Sequence, residues 1–361
     1  VKPGFSTCHS HPKPVTDLTI ADLIALPYPP SDHFDGQRFL NPASFQRPHE
    51  PPRTPHRRGA ILRWQLDGRP RWPTDLPRHT PTGDPHATPA HGETSVTFLG
   101  HAGFLLRIGR ASLPPLTIIT DPVFSERCSP FRNLGPRRVI PPGRTLAELP
   151  RIDLILISHC HYDHLDLPTL RAIARRDDPA AITPLGNTAL LAEAGLTQIV
   201  ERDWWDHTLF ENTRITITPA RHATARTPFD QNIRLWGGFM IDAPSIRLFF
   251  AGDSGHGTHW QTIHDRLGPP DLALIPIGAY EPRAIMRRVH MNPEEAVEAI
   301  AELGAKRAIG MHFGTFQLTD EPIGEPPARF TLAARNAGFA PDRCFTLGCG
   351  DTTLLPAPEE S

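Results

Sequence analysis

Leu154-Ile155-Leu156-Ile157-Ser158-His159-Cys160-His161-Tyr162-Asp163-His164 decides how this chain is read. Four apolar residues in succession, with no polar alternation, predict a strand buried on both faces. Three histidines and an aspartate follow at once. Imidazole and carboxylate are ligands for zinc and similar divalent metals, and a tight loop after a rigid strand can aim them at one point. His159 and His161 share a side of extended backbone, while Asp163 and His164 fall just past it. That spacing predicts one pair for one metal and the next pair for a second. Cys160 points the other way and reads as a small packing residue. The bland alternative, a polar loop with incidental histidines, has to ignore the ligand-type residues downstream.

The chain's 361 residues allow one large domain or two modest ones. An apolar content of 39% and a charged content of 21% fit a globular protein with an extended polar region. A formal charge of -2 provides no basic field for nucleic acid. The five cysteines (Cys8, Cys128, Cys160, Cys344 and Cys349) are odd in number and match no zinc-ribbon or C-x-x-C spacing. No run of about 18 apolar residues marks a transmembrane helix. No charged-then-apolar leader opens at Val1. The expected location is the cytoplasm or the periphery of a membrane.

Residues 1–92 are rich in proline and histidine. Pro51-Pro52-Arg53-Thr54-Pro55-His56-Arg57-Arg58 and the segment from Pro70 to Pro89 break regular structure, with short anchors at Ile20 to Leu26 and Ile61 to Trp64. His33, His49, His56, His79, His86 and His91 lack ligand spacing and read as solvated. This is an N-terminal extension wrapped on a catalytic domain over 93–361.

From Ser95 the pattern turns to strands: Val96 to Leu99, Phe104 to Ile108, Leu116 to Thr120, the 154–157 run and Ile182 to Pro184. Helices are predicted over Pro168 to Ala174 and Thr188 to Glu193, the latter stopping at Gly195. Further strands are expected over Ile215 to Thr218, Gly238 to Ile241, Phe249 to Ala251, Leu272 to Pro276 and Ala308 to Met311. Asn292-Pro293-Glu294-Glu295 opens a helix with a capping side chain, a first-turn proline and acid at the positive dipole end, running to Leu303 before Gly304. Strand-rich halves interrupted by helices predict a layered α/β fold.

Three more residues of ligand type stand where apolar strands meet loops: His222 after Thr218, Asp253 after Phe249-Phe250-Ala251-Gly252, and His312 after Ala308 to Met311. Each alone reads as structural. Beside H-x-H-x-D-H the set reads as a two-metal site.

In this order the residues resemble the metallo-β-lactamase superfamily of binuclear metallohydrolases. Within it the chain is similar to the family of N-acyl-phosphatidylethanolamine-hydrolysing phospholipases D and their bacterial relatives. The segments that carry the likeness include Leu99-Gly100-His101-Ala102, Thr120-Asp121-Pro122, Gly135-Pro136-Arg137-Arg138, Asp203-Trp204-Trp205, Gly252-Asp253-Ser254-Gly255, Ile277-Gly278-Ala279-Tyr280-Glu281-Pro282-Arg283 and Met311-His312-Phe313-Gly314. The likeness covers about 93 to 355, and before it lies a looser one at His33-Phe34-Asp35-Gly36. The resemblance implies a four-layer αβ/βα sandwich with the site at the edge of two sheets. It implies two zinc ions, with iron or manganese as substitutes: one on His159, His161 and His222, the other on Asp163, His164 and His312, with Asp253 bridging. Two departures stand out. Cys160 replaces an amide residue of the lipid enzyme, and Val289, before His290, replaces a polar one.

Two such metals about 3.5–4 Å apart share a water and lower its pKa to around 7. The bridging hydroxide is expected to attack phosphorus in line, with Asp163 and Asp253 as catalytic ligands and His290 as a candidate acid for the leaving alkoxide. Tyr280, Arg283 and His101 are the expected substrate contacts, set against packing or turn-closing roles. Trp204, Trp205, Trp236 and Phe239 belong either to an apolar slot or to the core. The expected activity is a zinc phosphodiesterase of phospholipase D type on N-acyl-phosphatidylethanolamine or a related phospholipid. The alternatives are a hydrolase of a soluble lactone or nucleotide phosphodiester, and a non-catalytic metal scaffold. Expected partners are the phospholipid, a peripheral membrane contact through the Arg-Pro-rich extension, and a second copy in a homodimer.

Overall fold

The computed structural model describes residues 28–47, 64, 70–73, 75–76 and 79–357. The anchor at Ile20 to Leu26, the first three residues of Ile61 to Trp64, the Pro51 to Arg58 run, His49, His56 and Cys8 lie outside the described residues. The first half of the domain lays down β1 (Thr94–Gly100), β2 (Gly103–Ile108), β3 (Leu116–Thr120), β4 (Leu154–Leu156), β5 (Ala180–Pro184) and β6 (Gln198–Arg202). The second half lays down β7 (His207–Phe210), β8 (Thr213–Thr218), β9 (Gly238–Ala243), β10 (Ile246–Phe250), β11 (Leu272–Pro276), β12 (Arg307–Met311) and β13 (Cys344–Thr346). β14 (Thr352–Leu355) then returns to pair with β1.

Two seven-stranded sheets result, in the orders β14-β1-β2-β3-β4-β5-β6 and β7-β8-β9-β10-β11-β12-β13. Each is antiparallel up to its fourth strand and parallel after it. β3 and β10 therefore hold equivalent central places.

The 154–157 run shows why it is apolar throughout. Leu154 and Leu156 join the core between the sheets, whereas Ile155 and Ile157 join a second core under α1 (Leu167–Asp177) and α2 (Thr188–Glu193). On the other sheet α3 (His259–Leu267), α5 (Pro293–Leu303) and α6 (Glu325–Asn336) supply Ile263, Ile300 and Phe330 to the core, with the single turn α4 (Arg283–Met286) between. Fully burying one such side chain stabilises the fold by about 1.5–3 kcal/mol. The architecture is the helix–sheet–sheet–helix sandwich.

Local chemistry fixes the helix ends. Asn292 accepts from Glu295 N while the Glu295 side chain accepts from Asn292 N, Pro293 occupies the first turn, and Gly304 closes the helix at φ 69°. In the segment before the domain, Phe34 and Phe39 enter the inter-sheet core. Trp204, Trp236 and Phe239 are core residues, with the two indoles bonded to the Trp236 and Ala220 carbonyls. They form no slot beside the site.

Candidate metal centre

β4 stops at Leu156, and the chain turns so that His159, Asp163 and His164 are buried while His161 keeps partial access to solvent. The second half holds this loop from outside. Arg226 Nη1 donates to the Cys160 and Leu165 carbonyls at 2.7 and 3.0 Å, with its guanidinium 3.8 Å over the Tyr162 ring. Gly252, at φ 59°, brings the end of β10 against the same loop; a Cβ there would meet Ser158 Cβ at 2.7 Å. That close approach delivers Asp253.

Nitrogens and oxygens then converge. His159 Nε2 lies 2.9 Å from His161 Nδ1, and His222 Nε2 lies 3.3 Å from the same atom. His312 Nε2 lies 3.2 Å from His164 Nε2, and Asp163 Oδ2 is 3.5 Å from each. Asp253 Oδ2 sits between the two sets, 3.1 and 3.2 Å from His164 and His312 and 3.8 and 3.9 Å from His222 and His159. All seven expected ligands are thus brought together.

The outward nitrogens explain why the inward ones face each other. His164 Nδ1 bonds Asp121 Oδ2 at 2.7 Å, and His222 Nδ1 bonds the Val289 carbonyl at 3.0 Å. Ser158 Oγ donates to Asp121, leaving a lone pair for His159 Nδ1 at 2.9 Å. With Nδ1 the outward donor on all three rings, Nε2 is the inward atom: a lone pair on the neutral His159 and His222, and on His164 once its second proton is displaced. Facing lone pairs and two buried carboxylates call for a cation. Asp253 Oδ1 is buried with no hydrogen-bond partner among the described residues. The donor set, imidazole and carboxylate without thiolate, fits zinc and its divalent neighbours.

Protonation follows the same logic. Burial pushes His159 and His222 well below the usual imidazole range, reinforced by neighbouring imidazoles. Burial also opposes charge on His164 and His312, but the Asp253 and Asp163 carboxylates prevail, raising His164 well above its ordinary value and His312 to about 9. Burial alone would raise Asp163 and Asp253; the facing imidazoles outweigh it and hold both well below the carboxylate range. Two anions thus persist in a buried cluster, held by protons that a divalent ion would displace.

Of the three residues expected at the substrate, none lines the cavity beside this cluster. That cavity, about 320 Å³, is bounded by His161, His222, Thr224, Gln231, Val289 and His290 among others. His101 is buried instead, donating from Nε2 to Asp163 Oδ2 at 2.8 Å while its carbonyl accepts from His312 N at 2.6 Å. Burial lowers His101 to about 3, so it donates as a neutral ring. Tyr280 is buried with its hydroxyl donating to Glu325 at 2.7 Å. Arg283 forks onto Glu295 at 2.6 and 2.7 Å and donates to the His290 carbonyl. His290 does reach the site, with Nδ1 3.9 Å from Asp253 Oδ2. One residue missed from sequence is Asp121, which orients His164 and Ser158. Its signal was its place directly after β3.

A family model described as a beta-lactamase superfamily domain matches residues 117–313. An uncharacterised protein of Mycobacterium tuberculosis is 39% identical over 245 residues, 66% of this chain and 64% of that protein, so the match spans less than two thirds of that relative's length. The N-acyl-phosphatidylethanolamine-hydrolyzing phospholipase D 1 of Caenorhabditis elegans is 37% identical over 265 residues, covering 70% of this chain and 72% of that one. Among solved structures, a metallo hydrolase from the archaeon Ignicoccus hospitalis shares the fold at TM-score 0.54 and 22% identity, covering 73% of this chain and 98% of that one.

Proposed function

This chain belongs to the metallo-β-lactamase superfamily, and from that premise we propose that it is a metal-dependent phosphodiesterase of phospholipase D type. Its substrate is N-acyl-phosphatidylethanolamine or a related phospholipid. The observation that carries a binuclear reading is Asp253 Oδ2, which faces His164 and His312 on one side and His159 and His222 on the other. His159, His161 and His222 would hold one zinc, Asp163, His164 and His312 the other, and Asp253 both. When bound, the pair supplies Lewis acidity to an attacking water and to the phosphoryl oxygens.

The chain's own groups orient and insulate that chemistry. His101 fixes Asp163, Asp121 fixes His164, and the Val289 carbonyl fixes His222. Burial lowers His290 to about 4 against the pull of Asp253, so at neutral pH it is a neutral ring beside the cavity. It is suited to hydrogen-bond the leaving oxygen. Arg283 holds the His290 backbone and acts on substrate through it.

The relative from Caenorhabditis elegans, by its name, supports the lipid assignment. The cavity size favours a second reading: about 320 Å³ with Thr224, Thr227 and Gln231 in its wall admits a phosphodiester headgroup or a small soluble ester. A lipid would then leave its acyl chains outside, in the bilayer. No helix among the described residues is long and apolar enough to cross a membrane. Contact with the bilayer is proposed to be peripheral, residues 1–92 to be an extension on the 93–361 domain, and the chain to pair as a homodimer. Turnover of vesicle-borne N-acyl-phosphatidylethanolamine, a nucleotide phosphodiester and a lactone, at matched zinc loading, tests the substrate. The lipid is expected to turn over fastest; a lactone cleaved far faster than any phosphodiester overturns the proposal.

A further inference from the structure

His222 stands apart from the other zinc ligands in how its backbone is held. β8 ends at Thr218, and β9 does not resume until Gly238. The residues just before His222 are tied to the second half of the domain: Ala220 O accepts from Trp236 Nε1, Arg221 N donates to Ser254 Oγ, and Arg221 O accepts from Gly255 N. At His222 that support ends. Its N–H donates to Asn41 Oδ1 at 3.1 Å, and its carbonyl accepts from Asn41 Nδ2 at 2.8 Å. One side-chain amide thus pairs with both backbone groups of a ligand, as a neighbouring strand would. His222 is 2% exposed, so water cannot readily replace either bond.

The pairing belongs to a longer strap. Phe39 N donates to Asn232 O at 2.7 Å, and Arg38 donates to Gln231 O. Thr258 N donates to Phe45 O on the far side of Asn41. Phe34, Phe39 and Phe45 bury their rings in the core, which fixes where the Asn41 amide stands. The loop beneath, from His222 to Asn232, walls the cavity with Thr224 and Gln231. The other half of the centre needs no strap: His312 N donates to His101 O inside the catalytic domain.

We propose that Asn41 is a positioning residue of the metal centre, setting the His222 backbone so that the ion on His159, His161 and His222 depends on the N-terminal segment 28–47. The proposal rests on the two-metal reading above. Asn41 reaches the ion only through His222, and its loss falls on one metal of the two. The Asp163–His164–His312 ion keeps its supports.

Zinc titration of the metal-stripped full chain by calorimetry, with Asn41→Ala and Asn41→Asp beside the wild type, tests it. The wild type is expected to take up two equivalents. Asn41→Ala should weaken one of them about 10–100-fold, the range for partners that orient a metal ligand, and leave the other as in the wild type. Asn41→Asp keeps the shape but sets a carboxylate against the His222 carbonyl, so it should weaken the same equivalent at least as much. A packing role alone predicts an aspartate variant close to wild type, and that result overturns the proposal. So does equal weakening of both equivalents, or a lower melting temperature in Asn41→Ala with both affinities intact. A wild-type chain that takes up no zinc brings down the metal centre itself, and the proposal with it.

Discussion

The two halves of the domain are built on one plan and serve the site in opposite ways. Position by position, β1 to β6 match β8 to β13 in order and in the switch from antiparallel to parallel pairing. The first half delivers His159, His161, Asp163 and His164 from the single loop after β4. The second delivers one candidate ligand per strand end: His222 after β8, Asp253 after β10 and His312 after β12. The equivalents in the first half act at one remove. His101, in the place of His222, bonds Asp163, and Asp121, in the place of Asp253, bonds His164. One scaffold position can thus hold a ligand or the group that aims a ligand, according to whether the side chain reaches the centre or stops at a neighbouring ring.

The sharpest way to break that comparison is to empty the paired positions β3 and β10 lead into. Asp253→Ala removes the carboxylate facing both sets, and turnover of whichever substrate the chain accepts should fall at least about 1,000-fold, or about 4 kcal/mol of barrier. Asp121→Ala leaves every ligand in place but frees His164 and Ser158, so zinc affinity should fall only about 10–100-fold. Metal titration alongside steady-state kinetics separates the two. Equal effects would mean that the halves contribute alike and that Asp253 is not the shared group. A scaffold without chemistry would lose melting temperature on Asp253→Ala and have no turnover to lose.

A smaller effect sharpens the boundary between the strap and the domain. His33 bonds Asp203 and Asp32 at 2.8 and 2.6 Å and stacks on Trp204 at 4.3 Å. Burial opposes charge on this ring, but its bonds to Asp203 and Asp32 prevail and raise its pKa. A raised folded-state value places the stabilisation below the ordinary imidazole pKa near 6.5 and removes it as pH climbs through the folded value. With Asp32 largely exposed, the effect should amount to about 1 kcal/mol or less. Thermal melts from pH 6 upward should show the wild type losing this increment and His33→Gln lacking it. Parallel curves would remove His33 from the account.

How legible each part was follows from how densely its signal is packed. The 154–164 stretch joins an unbroken apolar run to four ligand-type residues, and both halves of that signal were readable together. The helix over Pro293–Leu303 was readable because its cap, proline and terminal glycine all agree. β6 and β7 were missed because they are short, and Gln198–Arg202 and His207–Phe210 mix polar and apolar residues without a clean period. α6 was missed because Pro326 and Pro327 look like breakers, although a helix tolerates proline in its first turn. Asp121 and Asn41 escaped for another reason. Each bonds a residue far away in sequence, Asp121 to His164 and Asn41 to His222; only Asp121 carries a local signal, its place directly after β3. Tyr280 and Arg283 show the opposite case: a distinctive run points to the substrate, while in space their side chains pair with Glu325 and Glu295.

The central claim is that two ions share Asp253, and anomalous diffraction at the zinc edge from crystals of the metal-loaded chain tests it most directly. Two peaks are predicted, one against His159, His161 and His222 and one against Asp163, His164 and His312, with the Asp253 carboxylate touching both. A single peak, or a pair in which Asp253 touches only one, would contradict it.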